Sequence, residues 1–310
     1  MPEGLRWWWL RRSLFHAQRR QPTWSLEAVL EGRRMFDELA ELATLPVGLN
    51  VVAEDANGVA VEWLGGEGVL DAASDGLVLY IHGGAYTMGS VAAARGAAAV
   101  LHAATGLPIL AVGYRLAPEH PFPAASDDVL TAYRWLLAAG RQPDRIVLAG
   151  DSAGGGLVLA VLLAARAAGL PLPAGGITTS MWADLALAGA SYGQRCDRDP
   201  LLSPEFLGLC ADLYAPDGDR RLAADVLGAD LSGLPPLLLL VGTEEIVHDD
   251  SVTVAARARA AGVDARLHVG TGRLHCWTGW VDRFPSIRED LDLVGRFCAE
   301  VLGTGTERRS

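Results

Sequence analysis

The pentapeptide Gly150-Asp151-Ser152-Ala153-Gly154 sets a serine between glycines on a turn, an arrangement suited to nucleophilic attack by the Ser152 hydroxyl. The letters alone are weak evidence, and their surroundings carry the reading. An apolar run, residues 145–149, leads into the pentapeptide, and a helix-forming run, residues 155–168, leads out of it. Strand, sharp turn and helix in that order lift a hydroxyl above the C-terminal edge of a parallel sheet, and the glycines permit the strained turn and close helix packing. A serine is a poor nucleophile near neutral pH, so it needs a base, and the base needs an acid to orient it. His275 and Glu245 are the candidates, because each lies in a loop following a strand-like run, residues 265–269 and 237–241, at the same sheet edge as Ser152. His268 falls inside its run and reads as a packed residue. His248, beside Asp249 and Asp250, reads as part of a helix start, and Asp249 is the rival acid.

Attack on a carbonyl also needs N–H donors aimed at the developing oxyanion. Ile81-His82-Gly83-Gly84-Ala85-Tyr86 ends another apolar run, and its main chain at Gly83, Gly84 and Ala85, together with the amide of Ala153, forms the expected oxyanion site. His82 reads as an organiser of that loop, and Asp151 as a structural member of the serine turn. Tyr86 and Trp182 are the candidate substrate contacts.

Positioning these groups requires a sheet. Residues 77–81, 108–112, 145–149, a run from near Gly176, 237–241 and 265–269 are strand-like, and helical runs 91–104, 127–139, 155–168 and 251–261 alternate with them. Continuous apolar strands interleaved with helices imply a parallel sheet covered on both faces. Residues 50–54 and 59–64, joined through Asn57-Gly58, read as an antiparallel hairpin, and residues 284–302 as the last helix. Between Asp184 and Leu234 the alternation lapses, as an insertion would make it do. The N-terminus is different again. Residues 4–26 hold Arg6, Arg11, Arg12, Arg19 and Arg20, no acid, and Trp7, Trp8, Trp9 and Trp24. A basic helix on a membrane surface is one reading; a helix folded over the rest of the protein, its Arg stems covering apolar surface, is the expectation adopted. A second helix runs from Ser25, its N-cap, to about Ala43, with Pro46 beyond its end.

Composition excludes several alternatives. All 26 basic residues of the 310 are arginine, so no lysine exists for a Walker A loop, a Schiff base or a Ser–Lys dyad. A net charge of −11 argues against a nucleic-acid partner. Cys196, Cys210, Cys276 and Cys298 form no C-x-x-C pair and no histidine cluster accompanies them, so no metal site and no cofactor are expected. Unpaired thiols and the lack of a secretory pattern favour the cytoplasm.

These pieces together resemble the bacterial hormone-sensitive lipase family, the family IV esterases of the α/β-hydrolase fold. The resemblance rests on residues 82–86, on the run Tyr114-Arg115-Leu116-Ala117-Pro118-Glu119-His120-Pro121-Phe122-Pro123-Ala124, on the Ser152 pentapeptide, on Asp199-Pro200-Leu201-Leu202-Ser203-Pro204, and on the loops around Glu245 and His275. It implies a mostly parallel central sheet with helices on both faces and a helical cap. It further implies a Ser152, Glu245, His275 triad, with Gly84, Ala85 and Ala153 as oxyanion donors and Gly83 shaping the loop. The implied organisation is 1–48 as N-terminal cap helices, 49–183 and 229–304 as core, 184–228 as cap insertion and 305–310 as tail. The sequence departs from the family in three places. Ala85 stands where a third glycine is usual, Glu245 where aspartate is commoner, and residues 215–230 lack the serine-proline pattern of that region. The implied activity is hydrolysis of short- to medium-chain carboxylic esters through an acyl-enzyme. A lactonase or amidase, or a non-catalytic receptor on the same fold, is the alternative. The implied partner is a small-molecule ester, with a homodimer and membrane contact of the N-terminal segment left open.

Overall fold

The computed structural model describes residues 3–18, 24–42, 45–66, 76–216 and 226–304. Arg19 and Arg20, part of the 184–228 insertion and the tail at 305–310 lie outside the described residues. Eight strands, β1 (Asn50–Asp55), β2 (Ala60–Gly65), β3 (Leu77–Ile81), β4 (Ile109–Gly113), β5 (Ile146–Asp151), β6 (Gly175–Thr179), β7 (Leu237–Gly242) and β8 (Ala265–Gly270), form one sheet in the order 1-2-4-3-5-6-7-8. The β1–β2 hairpin and the β2–β4 pair are antiparallel, and all other pairs are parallel. This is an α/β-hydrolase sheet.

The apolar strand runs make sense once both sheet faces are covered. Side chains alternate across a strand, so Leu77, Leu79 and Ile81 of β3 enter one core, while Val78 and Tyr80 enter the other. The first core is roofed by α4 (Ala124–Ala138), α5 (Ala153–Ala167) and α8 (His248–Ala260). The second is roofed by α3 (Val91–Thr105) and α9 (Arg288–Val301). Each fully buried leucine or valine contributes roughly 1.5–3 kcal/mol by leaving water, which makes a strand such as β3, buried along its whole length, a rigid base for the loop after it.

Helices α4, α5 and α8 begin earlier than expected, and the last two differences bear on the site. Helix α5 starts at Ala153, directly after the serine, because the turn itself is wound into the helix. Helix α8 starts at His248, not Ser251, and its N-cap, Val247, makes no side-chain bond. The carboxylates of Asp249 and Asp250 reach other segments instead of capping their own helix.

Helix α1 (Glu3–Gln18) folds over the body, with Trp7 stacked on Phe284 at 3.8 Å between ring centroids. Arg11 pairs with Glu244 at 3.0 Å, and Trp8 and Trp9 remain half exposed. Helix α2 (Leu26–Leu42) is capped by Ser25, whose hydroxyl accepts the Ala28 N–H, and it seats Val29 in the first core. Among the described residues no helix is long and apolar enough to cross a membrane. The remaining helices, α6 (Ala190–Gln194) and α7 (Pro204–Tyr214), belong to the segment where the strand–helix alternation lapses.

Candidate active site

Ser152 occupies the turn between β5 and α5 at φ 53° and ψ −122°, a left-handed conformation that costs a non-glycine residue roughly 1–3 kcal/mol. The turn is held by its neighbours. The Ser152 N–H donates to Thr179 O at 2.9 Å, and Ser152 O accepts the Trp182 N–H at 2.9 Å. A Cβ on Gly150 would stand 2.4 Å from Gly154 O, and one on Gly154 only 2.1 Å from Ile81 O. Both flanking glycines are therefore demanded by backbone approaching backbone.

Three loops at the C-terminal sheet edge converge there. His275 Nε2 lies 2.9 Å from Ser152 Oγ, and His275 Nδ1 lies 2.8 Å from Glu245 Oε2. With the proton assigned to Nδ1, that group donates to the carboxylate and leaves Nε2 to accept from the serine. The second oxygen of Glu245 is occupied too, accepting from Gly242 N–H at 2.5 Å and from Ser180 Oγ at 3.0 Å. Burial raises the Glu245 carboxyl above the usual range, against the lowering effect of His275 and the Gly242 N–H. For His275, burial alone disfavours the imidazolium, but the hydrogen bond and charge of Glu245, with the charges of Asp199 and Asp151, outweigh it and raise its pKa above 6.5.

Sequence reasoning missed the residues that hold the acid in place. Ser180, at φ 52° just beyond β6, donates to Glu245 and accepts the Cys276 N–H at 2.9 Å, linking the acid loop to the base loop. Asp199 is fully buried and accepts Ile246 N–H at 3.1 Å through one oxygen and Leu201 and Leu202 N–H through the other. It thereby ties the insertion to the residue after Glu245. Its place in the resemblance motif was the available signal; for Ser180 there was none. Asp249 accepts Ser191 N–H at 2.9 Å, and Asp250 accepts Ala183 and Asp184 N–H and the Tyr192 hydroxyl. The rival acid is thus turned away from His275. His248 Nδ1 bonds Gly242 O, and His268 Nε2 meets Asp290 at 2.8 Å on β8.

The loop after β3 comes against the serine from the other side. A Cβ on Gly83 would sit 2.4 Å from Asp151 Oδ2 and 3.1 Å from Ser152 Cβ. Gly84, Ala85 and Tyr86 follow at φ 119°, 53° and 61°, a left-handed run closed by Thr87 and Met88 N–H groups donating to Gly84 O. Ala153 is the first residue of α5, where a helix has unsatisfied N–H groups and a positive dipole end. His82 Nδ1 donates to Gly83 O at 2.7 Å and its ring stacks on Tyr114, while burial lowers its pKa, so a neutral imidazole braces the loop. Asp151 accepts the Tyr80 hydroxyl and lies 3.5 Å from Cys276 Sγ.

The side chains of the two candidate substrate contacts are both buried. Tyr86 is sandwiched in an aromatic cluster, stacked on Tyr214 at 4.1 Å and tilted against Trp182 at 5.5 Å. The Trp182 side chain is fully buried, with Nε1 bonded to Asp184 O, and its main chain is what reaches the serine turn.

Comparison with known proteins agrees with this architecture. Residues 78–279 match the model of a family described as having the alpha/beta hydrolase fold. An esterase of the bacterial hormone-sensitive lipase family superposes with a TM-score of 0.88 over 98% of this chain and 99% of that one, at 37% identity. The chain belongs to the hormone-sensitive lipase family. Among other relatives, an acetyl-hydrolase of Streptomyces hygroscopicus is 43% identical over 242 residues, 77% of this chain and 81% of the relative. An esterase of Acinetobacter venetianus is 34% identical over 229 residues, 73% of this chain and 75% of the relative. Two of the three departures read from the sequence, Glu245 and Ala85, stand in the loops around Ser152, where the geometry accommodates them. Glu245 is accommodated through its bonds to Gly242 and Ser180, and Ala85 through a left-handed backbone.

Proposed function

We propose that this protein is a serine carboxylesterase acting on short- to medium-chain carboxylic esters through an acyl-enzyme. The observation that carries the reading is the unbroken chain from Ser152 Oγ to His275 to Glu245 at 2.9 and 2.8 Å. In this reading Ser152 Oγ attacks the ester carbonyl while His275 Nε2 takes its proton, and Glu245 stabilises the imidazolium that forms. The main-chain N–H groups of Gly84, Ala85 and Ala153 receive the oxyanion, with Gly83 keeping the loop against the serine. His275 then protonates the departing alcohol, and a water activated by the same imidazole releases the acid. The relatives named an acetyl-hydrolase and an esterase support the substrate class. We assign α1, α2 and the 184–228 segment to the cap, and Tyr86 to the wall beneath it. The four unpaired thiols support a cytoplasmic location.

A fluorophosphonate should label Ser152 stoichiometrically, located by peptide mass, and the labelled protein should lose ester turnover. Label on any other residue, or none, would overturn the assignment. The raised His275 pKa adds a second expectation. The base must be neutral to accept a proton, so kcat/KM should rise with pH along an acid limb centred above 6.5. Glu245→Gln removes the largest raising influence and leaves burial, so in that variant the limb should move to lower pH. A limb unmoved by the substitution would show that Glu245 does not face the titrating group.

A further inference from the structure

The Tyr114–Ala124 run and helix α2 have no part in the chemistry described so far, yet they meet at one side chain. Arg33 projects from the face of α2 that also carries Val29, buried in the core, and Gly32, whose added Cβ would come 3.3 Å from Met88 Sδ. Its guanidinium spreads over three acceptors. Nε donates to Thr87 O at 2.7 Å, Nη2 to Ala117 O at 2.5 Å, and both terminal nitrogens to the Glu119 carboxylate at 2.9–3.1 Å. Glu119 is half exposed, so that ion pair is screened and serves chiefly to orient the fork. The two carbonyls are the informative partners.

Thr87 N–H is one of the two that close the oxyanion loop on Gly84 O, and Ala117 N–H donates to Tyr86 O at 2.9 Å. Tyr114 of the same run donates its hydroxyl to His82 O at 2.9 Å. The loop carrying Gly84 and Ala85 is thus gripped at its far end by a planar, five-donor group standing on another part of the chain. We propose that Arg33 is a positioning residue through which α2 sets the aim of the Gly84 and Ala85 N–H groups at the substrate carbonyl. Its charge is not used on the substrate. It holds the carbonyls of Thr87 and Ala117 at a fixed spacing, so the left-handed run Gly84–Tyr86, which leads into Thr87 and is bonded to Ala117 N–H through Tyr86 O, has one available shape. This rests on the esterase reading above.

Misaiming an oxyanion donor weakens the transition state more than the ground state, which gives the test its signature. Arg33→Met should lower kcat about 10- to 100-fold with KM within about twofold, since small misplacements of reacting groups have effects of that order. An alkyl trifluoromethyl ketone, whose adduct with the serine carries an oxyanion, should bind less tightly by a similar factor. Arg33→Lys keeps a charged donor nitrogen without the planar fork and should recover part of both losses. Arg34→Met, on the exposed side of the same helix, should leave kcat and inhibitor affinity unchanged. Wild-type kcat and inhibitor affinity in Arg33→Met would overturn the proposal, as would a fall in kcat with unchanged inhibitor affinity. Should the Met variant fail to fold, the same pair of measurements on Arg33→Lys decides. A wild-type enzyme that neither turns over esters nor takes the fluorophosphonate would overturn the esterase reading itself.

Discussion

Glu245→Gln is expected to lower kcat by roughly 10³–10⁴-fold with little change in KM, from a substitution of nearly identical volume. The prediction follows from what surrounds the carboxylate. Gly242 N–H and the Ser180 hydroxyl both donate to Oε1, so the amide oxygen of a glutamine must turn toward them. Its NH2 group is then left facing His275 Nδ1 across 2.8 Å. Two N–H groups cannot share that gap, so the imidazole moves its proton to Nε2 and can no longer accept from Ser152. The loss therefore resides in the chemical step, and single-turnover acylation will show it. Asp249→Asn serves as the contrast. Its carboxylate accepts Ser191 N–H and touches nothing in the site, so it should cost about 1 kcal/mol of stability and leave turnover near wild type. A Glu245→Gln enzyme within tenfold of wild type, or an Asp249→Asn enzyme that is the more impaired, would contradict the assignment.

Gly154→Ala is the second large effect, and it acts through structure. The added methyl carbon would lie 2.1 Å from Ile81 O, at the end of β3, and 2.6 Å from His82 O, at the start of the oxyanion loop, both main-chain atoms. Neither can rotate away. Strand β3 and the start of α5 must separate, at a cost of about 3 kcal/mol or more, by the reasoning that applies to overpacked cores. That same separation moves the Gly84 and Ala85 amides away from Ser152, so fluorophosphonate labelling should slow sharply even in molecules that remain folded. Gly96→Ala is the matched control. Gly96 is exposed inside α3, and a Cβ there meets nothing within 4 Å, so the substitution should raise stability by about 0.5–1 kcal/mol through helix propensity. Thermal melts of the two variants should move in opposite directions. A Gly154→Ala protein with wild-type melting and labelling would show that the close approach is not real.

The features legible from the chain alone were those specified by neighbouring residues. A nucleophile turn needs a strand before it, a helix after it and glycines inside it, all within about two dozen positions, so Ser152 was assignable from local pattern. The same holds for the alternation of strands and helices, because apolar periodicity is local, and for Ser25 as a helix cap. Glu245 and His275 needed one further inference, that loops at one edge of a parallel sheet meet. Helix α8 shows where this reasoning fails. Asp249 and Asp250 do stand in the first turn of their helix, as read, but Asp249 does not cap it, and both carboxylates instead accept main-chain N–H groups 58 to 67 residues away.

By itself, then, the sequence determined the reaction type and the sheet, and it brought forward Ser152, Glu245 and His275 as the candidates for nucleophile, acid and base, since each follows from residue type and short-range order. Only the tertiary structure decided how those groups are held. Ser180 reaches Glu245 across 65 residues, Asp199 reaches Ile246 across 47, and Arg33 reaches Thr87 across 54. A serine, an aspartate and an arginine in loops or on a half-exposed helix carry no periodic signature, because most of their partners are main-chain carbonyls and N–H groups that nearly every residue possesses, and the carboxylate that Ser180 meets is distant in the chain. Which carbonyl a guanidinium finds is settled by the docking of whole elements, and that is a property of the folded chain.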